Sequence, residues 1–499
     1  LPLRGVGCED LGESFIPGEI LKMTKSVFRV LGFVASMAVG GAASAADLLV
    51  PSQYNTIQSA IDAAVSGDHV LVSEGTYLGQ VNLSGKNIQL IGVSGATSTF
   101  IDGENAHTVM IGNGEPSTCL VQGFTIQHGR EGGSTPGGGV NLHSSSACFT
   151  DCRFIQNSSA EGGHWGAGAW RSEHGNPSIT NCIFDRNFGG YMTSCIYHYL
   201  DGGISISNCI FTDNTSDYDG QCIHIQTEGG TIISSIQRCV FRRYESIKQI
   251  GITAVGFHNP GGSLTCPISD CSVENPIYPV NMPNQRTGFV YLGLGTNVTL
   301  TNIKCCGGVK NLVVDEYNTA WTDGGGNSVS PTCADCNGDG ITDYGQILLG
   351  DLSDSNNNSV PDVCEQVITS VLPVSGASTG GTAVRINGNN FPSSPTVTFG
   401  GVAATDIVVL SPTLITAVTP AGTPGMTVVA VNSASSESFY YRPSCDGDLD
   451  NNGTIDSSDL GLMLVNYGNC YESAVPEPQQ QEPFLLQSVE TQNPVLNKK

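Results

Sequence analysis

The sequence predicts an all-β chain whose body is a right-handed parallel β-helix. Three observations lead there. A short strand text recurs at an almost fixed spacing through the first two thirds of the chain. Gly contributes 63 of 499 residues while only 13% are charged, a composition that suits short strands and tight turns rather than helices. The length also exceeds one ordinary domain and leaves room for further units after the repeats. A formal net charge of −25 argues against nucleic acid or an anionic membrane as partner, and suits a soluble chain that gathers divalent cations.

Residues 1–45 read as an upstream extension and signal peptide. Met23 has the character of a start, followed by Lys25, Arg29, the apolar run Val30 to Val39, and Ala43-Ser44-Ala45 before Ala46. Cleavage near Ala45 would place the mature chain outside the cell or on its surface. No later run reaches the ~20 apolar residues of a membrane span. Export permits disulfides, and removing Cys8 from the 18 cysteines leaves an odd number, so at least one thiol stays unpaired.

Residues 46–330 carry the repeat. Phe149-Thr150-Asp151-Cys152-Arg153-Phe154 returns as Ile179 to Phe184, Ile206 to Phe211, Ile236 to Phe241 and, more weakly, Ile268 to Val273. The cysteines step by 30, 27, 30 and 32 residues. Read as one strand, each copy puts Cys and Phe on a single face, which is taken as the inward one. Coils of this kind bury their apolar side only by stacking. Cys152, Cys182, Cys209 and Cys239 are then expected as a ladder of small inward hydrophobes, with Cys195 and Cys222 as a second stacked pair.

At the start of the solenoid, Tyr54 to Ala64 predicts a short amphipathic helix with Ile57, Ile61 and Ala64 on one face. With Gly67-Asp68-His69-Val70-Leu71-Val72, Gly75-Thr76-Tyr77 and Asn87-Ile88-Gln89-Leu90-Ile91-Gly92, this stretch resembles the cap and first coils of pectate-lyase-like and pectinesterase-like β-helix proteins. The units Phe154–Asn157, Phe184–Asn187 and Phe211–Asn214 also resemble repeats of bacterial surface proteins of the polymorphic outer-membrane type. The catalytic motifs of these relatives are not matched. Tyr77 is followed by Leu78 and Gly79 where pectinesterases have a Glu. His128-Gly129 and His174-Gly175 have no paired carboxylates aligned with them, and Asp185, Asp201 and Asp213 read as solvated turn caps. The spacing of Arg171, Arg186, Arg242 and Arg243 singles out none as a base. Trp165, Trp170 and Tyr197, the last aligned with Trp170 in the next coil, are the expected glycan contacts. The expectation is therefore a secreted calcium-binding surface protein whose β-helix binds glycan or adheres without catalysis. Its partner would be a polysaccharide or cell-surface glycan. The alternative is a polysaccharide lyase or glycoside hydrolase acting on acidic polysaccharide.

Residues 331–365 hold alternating oxygen donors. Asp335, Asn337, Asp339, Ile341 (through its carbonyl) and Asp343 occupy positions 1, 3, 5, 7 and 9 of one loop, with Gln346 at position 12. Asp354, Asn356, Asn358, Asp362 and Glu365 occupy positions 1, 3, 5, 9 and 12 of a second, where Ser359 replaces the turn Gly. Hard Ca2+ takes six or more oxygens, which this pattern offers. The pair resembles thrombospondin type 3-like calcium repeats, with Cys336 and Cys364 expected as a closing disulfide. Residues 366–443, with Gly380-Gly381-Thr382, Asn387-Gly388-Asn389-Asn390-Phe391 and Phe399-Gly400-Gly401-Val402, resemble an IPT/TIG immunoglobulin-like domain. Their turn signals every eight to twelve residues independently predict a β-sandwich. In residues 444–472, Asp448, Asp450, Asn452, Thr454, Asp456 and Asp459 form an EF-hand loop. This loop, with Ser457 and Ser458, resembles one repeat of a dockerin, which implies a cohesin-like partner. Residues 473–499, rich in Pro, Gln and Glu, predict a disordered tail.

Overall fold

A computed structural model describes residues 45–131, 137–159, 167–190, 193–217, 220–247, 251–277, 286–315, 317, 319, 321–432, 434–443 and 455–465. The chain forms two compact units, Leu1–Pro361 and Asp362–Lys499. Residues 1–44, which carry the expected upstream extension and signal peptide, lie outside the described residues. No helix among the described residues is long and apolar enough to cross a membrane.

The first unit is a parallel β-helix with three main faces. Among the described residues, face 1 has twelve strands, running from Asp47–Val50 to Thr322–Asp323. Face 2 has ten, from Gly75–Leu78 to Ser328–Val329, and face 3 has nine, from Val81–Asn82 to Asn311–Asp315. Five two-residue strands, Arg130–Glu131 to Glu245–Ser246, line the passage from face 2 to face 3. Helix α1 (Ile57–Ala63) forms as expected. Thr56 and Ser59 close a capping box at its start, and Ile57, Ala60 and Ile61 are buried.

The repeat text differs from the single strand expected. Each copy is two strands on different faces, as in Ser178–Thr180 on face 1 and Ile183–Asp185 on face 2. Between them the chain turns through a left-handed residue, Asp151, Asn181, Asn208, Arg238, Asp270 or Asn302, with φ of 52–54°. Asn and Asp tolerate that conformation because their short side chains bond locally. The corner resets the alternation so that Ile179, Cys182 and Phe184 all point inward and are fully buried. The columns follow. Phe154, Phe184, Phe211 and Phe241 stack with centroids 4.5, 4.8 and 4.8 Å apart and nearly parallel planes. Cys152, Cys182, Cys209, Cys239 and Cys271 are free and buried, as are Cys195 and Cys222.

The Asn of each Phe-x-x-Asn unit turns inward where backbone ladders break. Asn187 Nδ2 donates to Phe154 O (2.9 Å) and to Asn214 Oδ1 (3.1 Å), while Asn187 Oδ1 accepts from Asn157 N (3.0 Å). Asn157, Asn187 and Asn214 thus satisfy one another and the turn backbone at almost complete burial.

The second unit contains a four-stranded and a five-stranded sheet packed about Val384, Ile386, Phe399, Ile415, Val429 and Phe439. This is the β-sandwich that the turn spacing predicts. Helix α2 (Asp343–Leu349) belongs to the first unit and helix α3 (Ser457–Val465) to the second.

Candidate functional site

Face 3 alternates inward and outward residues. Trp170, Ile196, Ile223, Val255 and Val290 form one inward column in register, and all are fully buried. Trp170 therefore does not face a sugar, contrary to expectation. Its ring lies edge-on to Phe149 at 4.7 Å, and its Nε1 donates to Ser172 Oγ (3.0 Å). The register pairs Trp170 with Ile196 and Arg171 with Tyr197, one residue from the alignment expected between coils. In a strand, that slip exchanges the core face for the solvent face. Trp165 lies outside the described residues. Tyr197 does point outward, yet it is 3% exposed because neighbours cover it.

Those neighbours form a cluster that sequence reading did not assemble. One outward column runs Asn141, Arg171, Tyr197, His224, and the next runs His143, Glu173, Tyr199, Gln226, His258. Tyr197 stacks on Tyr199 at 5.8 Å and leans on His224 at 5.6 Å, and its hydroxyl donates to Gln226 Oε1 (3.0 Å). Glu173 accepts from Arg171 Nη2 on one oxygen and from His143 Nδ1 (2.7 Å) on the other. Burial works against its charge, but these hydrogen bonds and the Arg171 charge prevail and hold the carboxyl below its usual range. Burial, then the Glu228 carboxylate that accepts its hydroxyl, push Tyr199 up to about 12. Burial lowers His224 to about 3 and His198, on the inward side against Ser172, to about 4. Glu228 itself is exposed, just past the strand Gln221–Gln226. Glu173 and Gln226 are two coils apart, about 10 Å at the usual strand spacing, so Glu173 and Glu228 flank Tyr199. The signal available in sequence was the run Tyr197-His198-Tyr199 one coil after Arg171-Ser172-Glu173, but its faces are set by a register that the repeat text alone does not fix.

Of the aspartates read as turn caps, Asp213 is paired with Arg243 (2.7 Å), Asp185 with Arg186 (2.8 Å) and Asp201 with His174. They are spread over two corners of the coil and do not converge.

The two loops after the last coil share one hydrogen-bond pattern. Asp335 accepts from the Asp339 and Gly340 N–H groups, at 3.2 and 2.9 Å. Asp354 accepts from Asn358 and Ser359, at 3.1 and 2.8 Å. Asn337 and Asn356 accept from the same two residues, Asp339 and Asn358, whose side chains accept in turn from Ile341 and Val360 (2.8 Å each). Gly338 and Gly340 have φ of 72° and 83°, and Asn357 and Ser359 repeat this at 58° and 68°. The Ile341 N–H holds the Asp339 carboxyl below its usual range. In the first loop Asp343 accepts from Cys336 N (3.0 Å), while Gln346 Nε2 donates to Asp339 Oδ2 (2.7 Å). The donor set is oxygen throughout at positions 1, 3 and 5, which fits a hard cation. Asp362 opens a one-turn 3₁₀ helix, Asp362–Cys364, and Glu365 follows it. Cys336 and Cys364 are both disulfide-bonded. Of the third loop, Asp448, Asp450, Asn452 and Thr454 lie outside the described residues. Asp459 Oδ2 accepts from Asp456 N (2.7 Å) at the start of α3.

The first loop is fastened to the β-helix. Cys306 and Cys333 form a disulfide, Thr342 Oγ1 donates to the buried Glu274, Asn302 Nδ2 donates to Tyr344 Oη (2.9 Å), and Arg238 Nη2 donates to Leu348 O (3.1 Å). A Cβ on Gly345 would come within 2.4 Å of Glu274 Oε1, so a larger residue there would have to displace the Glu274 carboxyl or the helix.

Residues 367–443 match the IPT/TIG domain. The solved structures resembling the chain include the carrot pectin methylesterase, at 13% identity and TM-score 0.31, covering 63% of this chain and 96% of that one. The polygalacturonase of Erwinia carotovora matches at 14% and 0.27, covering 59% and 99%. The α-1,3-glucanase catalytic unit of Streptomyces thermodiastaticus matches at 15% and 0.24, covering 60% and 72%. No curated protein matches the chain.

Proposed function

We propose that this chain is an exported polysaccharide-degrading protein whose β-helix hydrolyses a glycosidic bond on the outward side of face 3. One observation carries the reading: Glu173 and Glu228 flank a pair of stacked tyrosines on adjacent outward columns. Glycosidic hydrolysis needs two carboxyl groups on either side of the scissile bond and a platform for the sugar. Glu173, kept ionised by Arg171 and His143, suits one carboxylate role, Glu228 is the second carboxyl group, and Tyr199 is the platform between them. Calcium at Asp335, Asn337, Asp339, Ile341 and Asp343, and at Asp354, Asn356 and Asn358, would stiffen the end of the solenoid. The dockerin-like loop and a cohesin-like partner remain with this proposal as its attachment.

The test is release of reducing ends from pectin, polygalacturonate and α-1,3-glucan by the full chain, with calcium present. Turnover that falls at least 100-fold in both Glu173→Gln and Glu228→Gln is the expected result. Absence of turnover on a panel of polymers that the chain demonstrably binds would sink the hydrolase reading. A second reading, glycan binding without catalysis, is favoured by the way both oxygens of Glu173 are already engaged. It predicts unchanged affinity and no products.

A further inference from the structure

We infer that His143 and His174 form a binding site for a divalent transition-metal ion of the zinc type, separate from the calcium loops. The two residues come from consecutive coils. His143 ends the strand Val140–His143 and is in register with Glu173, the last residue of the strand Trp170–Glu173. His174 follows at once in a left-handed turn, with φ of 54°. The ring centroids are 5.7 Å apart with planes nearly perpendicular. An ion about 2.0–2.1 Å from one nitrogen of each ring holds two imidazole centres roughly 5–6 Å apart.

The tautomers follow from the partners. His143 Nδ1 meets Glu173 Oε1 and His174 Nδ1 meets Asp201 Oδ1. An ionised carboxylate only accepts, so each Nδ1 carries the proton and each Nε2 presents a lone pair. A carboxylate behind the imidazole is the arrangement that fixes ring orientation and raises ligand basicity in metal sites. Among the described residues neither Nε2 has a hydrogen-bond partner, and the side chains are 53% and 37% exposed, which leaves room for water to complete the shell. Glu173 and Asp201 against Arg171 leave the surroundings net negative. Imidazole selects zinc-type ions, whereas calcium takes oxygen, so the two kinds of site would not compete.

The full chain is titrated with Zn2+ by calorimetry in excess Ca2+, and no sugar is needed, so failure of the hydrolase reading leaves this test intact. Wild type should bind one more zinc equivalent than His143→Ala or His174→Ala. Asp201→Asn keeps both rings and should weaken that equivalent 10–100-fold. Circular dichroism checks that each variant folds, and if a histidine variant does not, the Asp201→Asn isotherm decides. Identical isotherms for wild type and every folded variant would overturn the site.

Discussion

At Arg171 and Glu173 a buried guanidinium meets a partly buried carboxylate, and each makes the other tolerable. Replacing Glu173 by Gln should cost stability by about 2 kcal/mol, since a charge-assisted hydrogen bond is lost while Arg171 stays buried. The sign with pH follows from the lowered carboxyl. Its contribution is fully present above the ordinary glutamate value of about 4.3 and is lost as pH falls through the lower folded value. Urea midpoints of wild type and Glu173→Gln should therefore converge as pH drops below about 4; a constant gap would contradict the ion pair. His198 and His224 act on a different window. Both are buried and neutral, so the unfolded chain takes up their protons first as pH falls below about 6.5. Stability should decline from there toward pH 4, by on the order of 3 kcal/mol for His198. His198→Leu should remove roughly half of that slope in a series of denaturant melts.

Among the elements, the corner between faces 1 and 2 and the Asn ladder shape each coil. Asn187→Ala leaves Phe154 O and the Asn157 N–H without their partner, which should cost about 2–4 kcal/mol in chemical denaturation. The two oxygen-donor loops, proposed above to hold calcium, allow gains as well as losses. Gln346→Glu would supply the carboxylate missing at position 12 and should tighten calcium binding measured by calorimetry. Gly345→Ala should press α2 off Glu274 and lower the melting temperature of the first unit without touching any proposed ligand. Much of this scale was legible. The cap helix, the inward cysteines and phenylalanines, and the oxygen donors at alternate positions all show in residue type and spacing. The corner was not, because a single left-handed residue leaves no gap in the text, and reading across it as one strand is what the hydrophobic pattern invites. The same blindness to register put Trp170 on the wrong side of face 3. Its neighbour Arg171 holds the outward position, and only pairing between coils distinguishes the two.

For the whole molecule, the two units should respond differently to calcium. Removing it with a chelator should lower the transition of the β-helix unit, to which α2 is fastened through Glu274, Asn302 and Arg238, and leave that of the β-sandwich in place. Scanning calorimetry on the full chain with and without chelator separates the cases. The fold class could be read from sequence because a solenoid repeats its instructions, whereas the face 3 cluster is written once, across three coils. The column of buried thiols carries a further consequence. Burial pushes the Cys182, Cys209 and Cys271 thiols of that column well up, which keeps those sulfurs protonated and unreactive in the finished coil. Before the coils close, the same sulfurs lie about thirty residues apart on an open chain and can pair wrongly. In an oxidising compartment the solenoid must win a race, sealing each rung before an oxidant finds it. Refolding yield should then depend on redox buffer far more than the stability of the folded rod does.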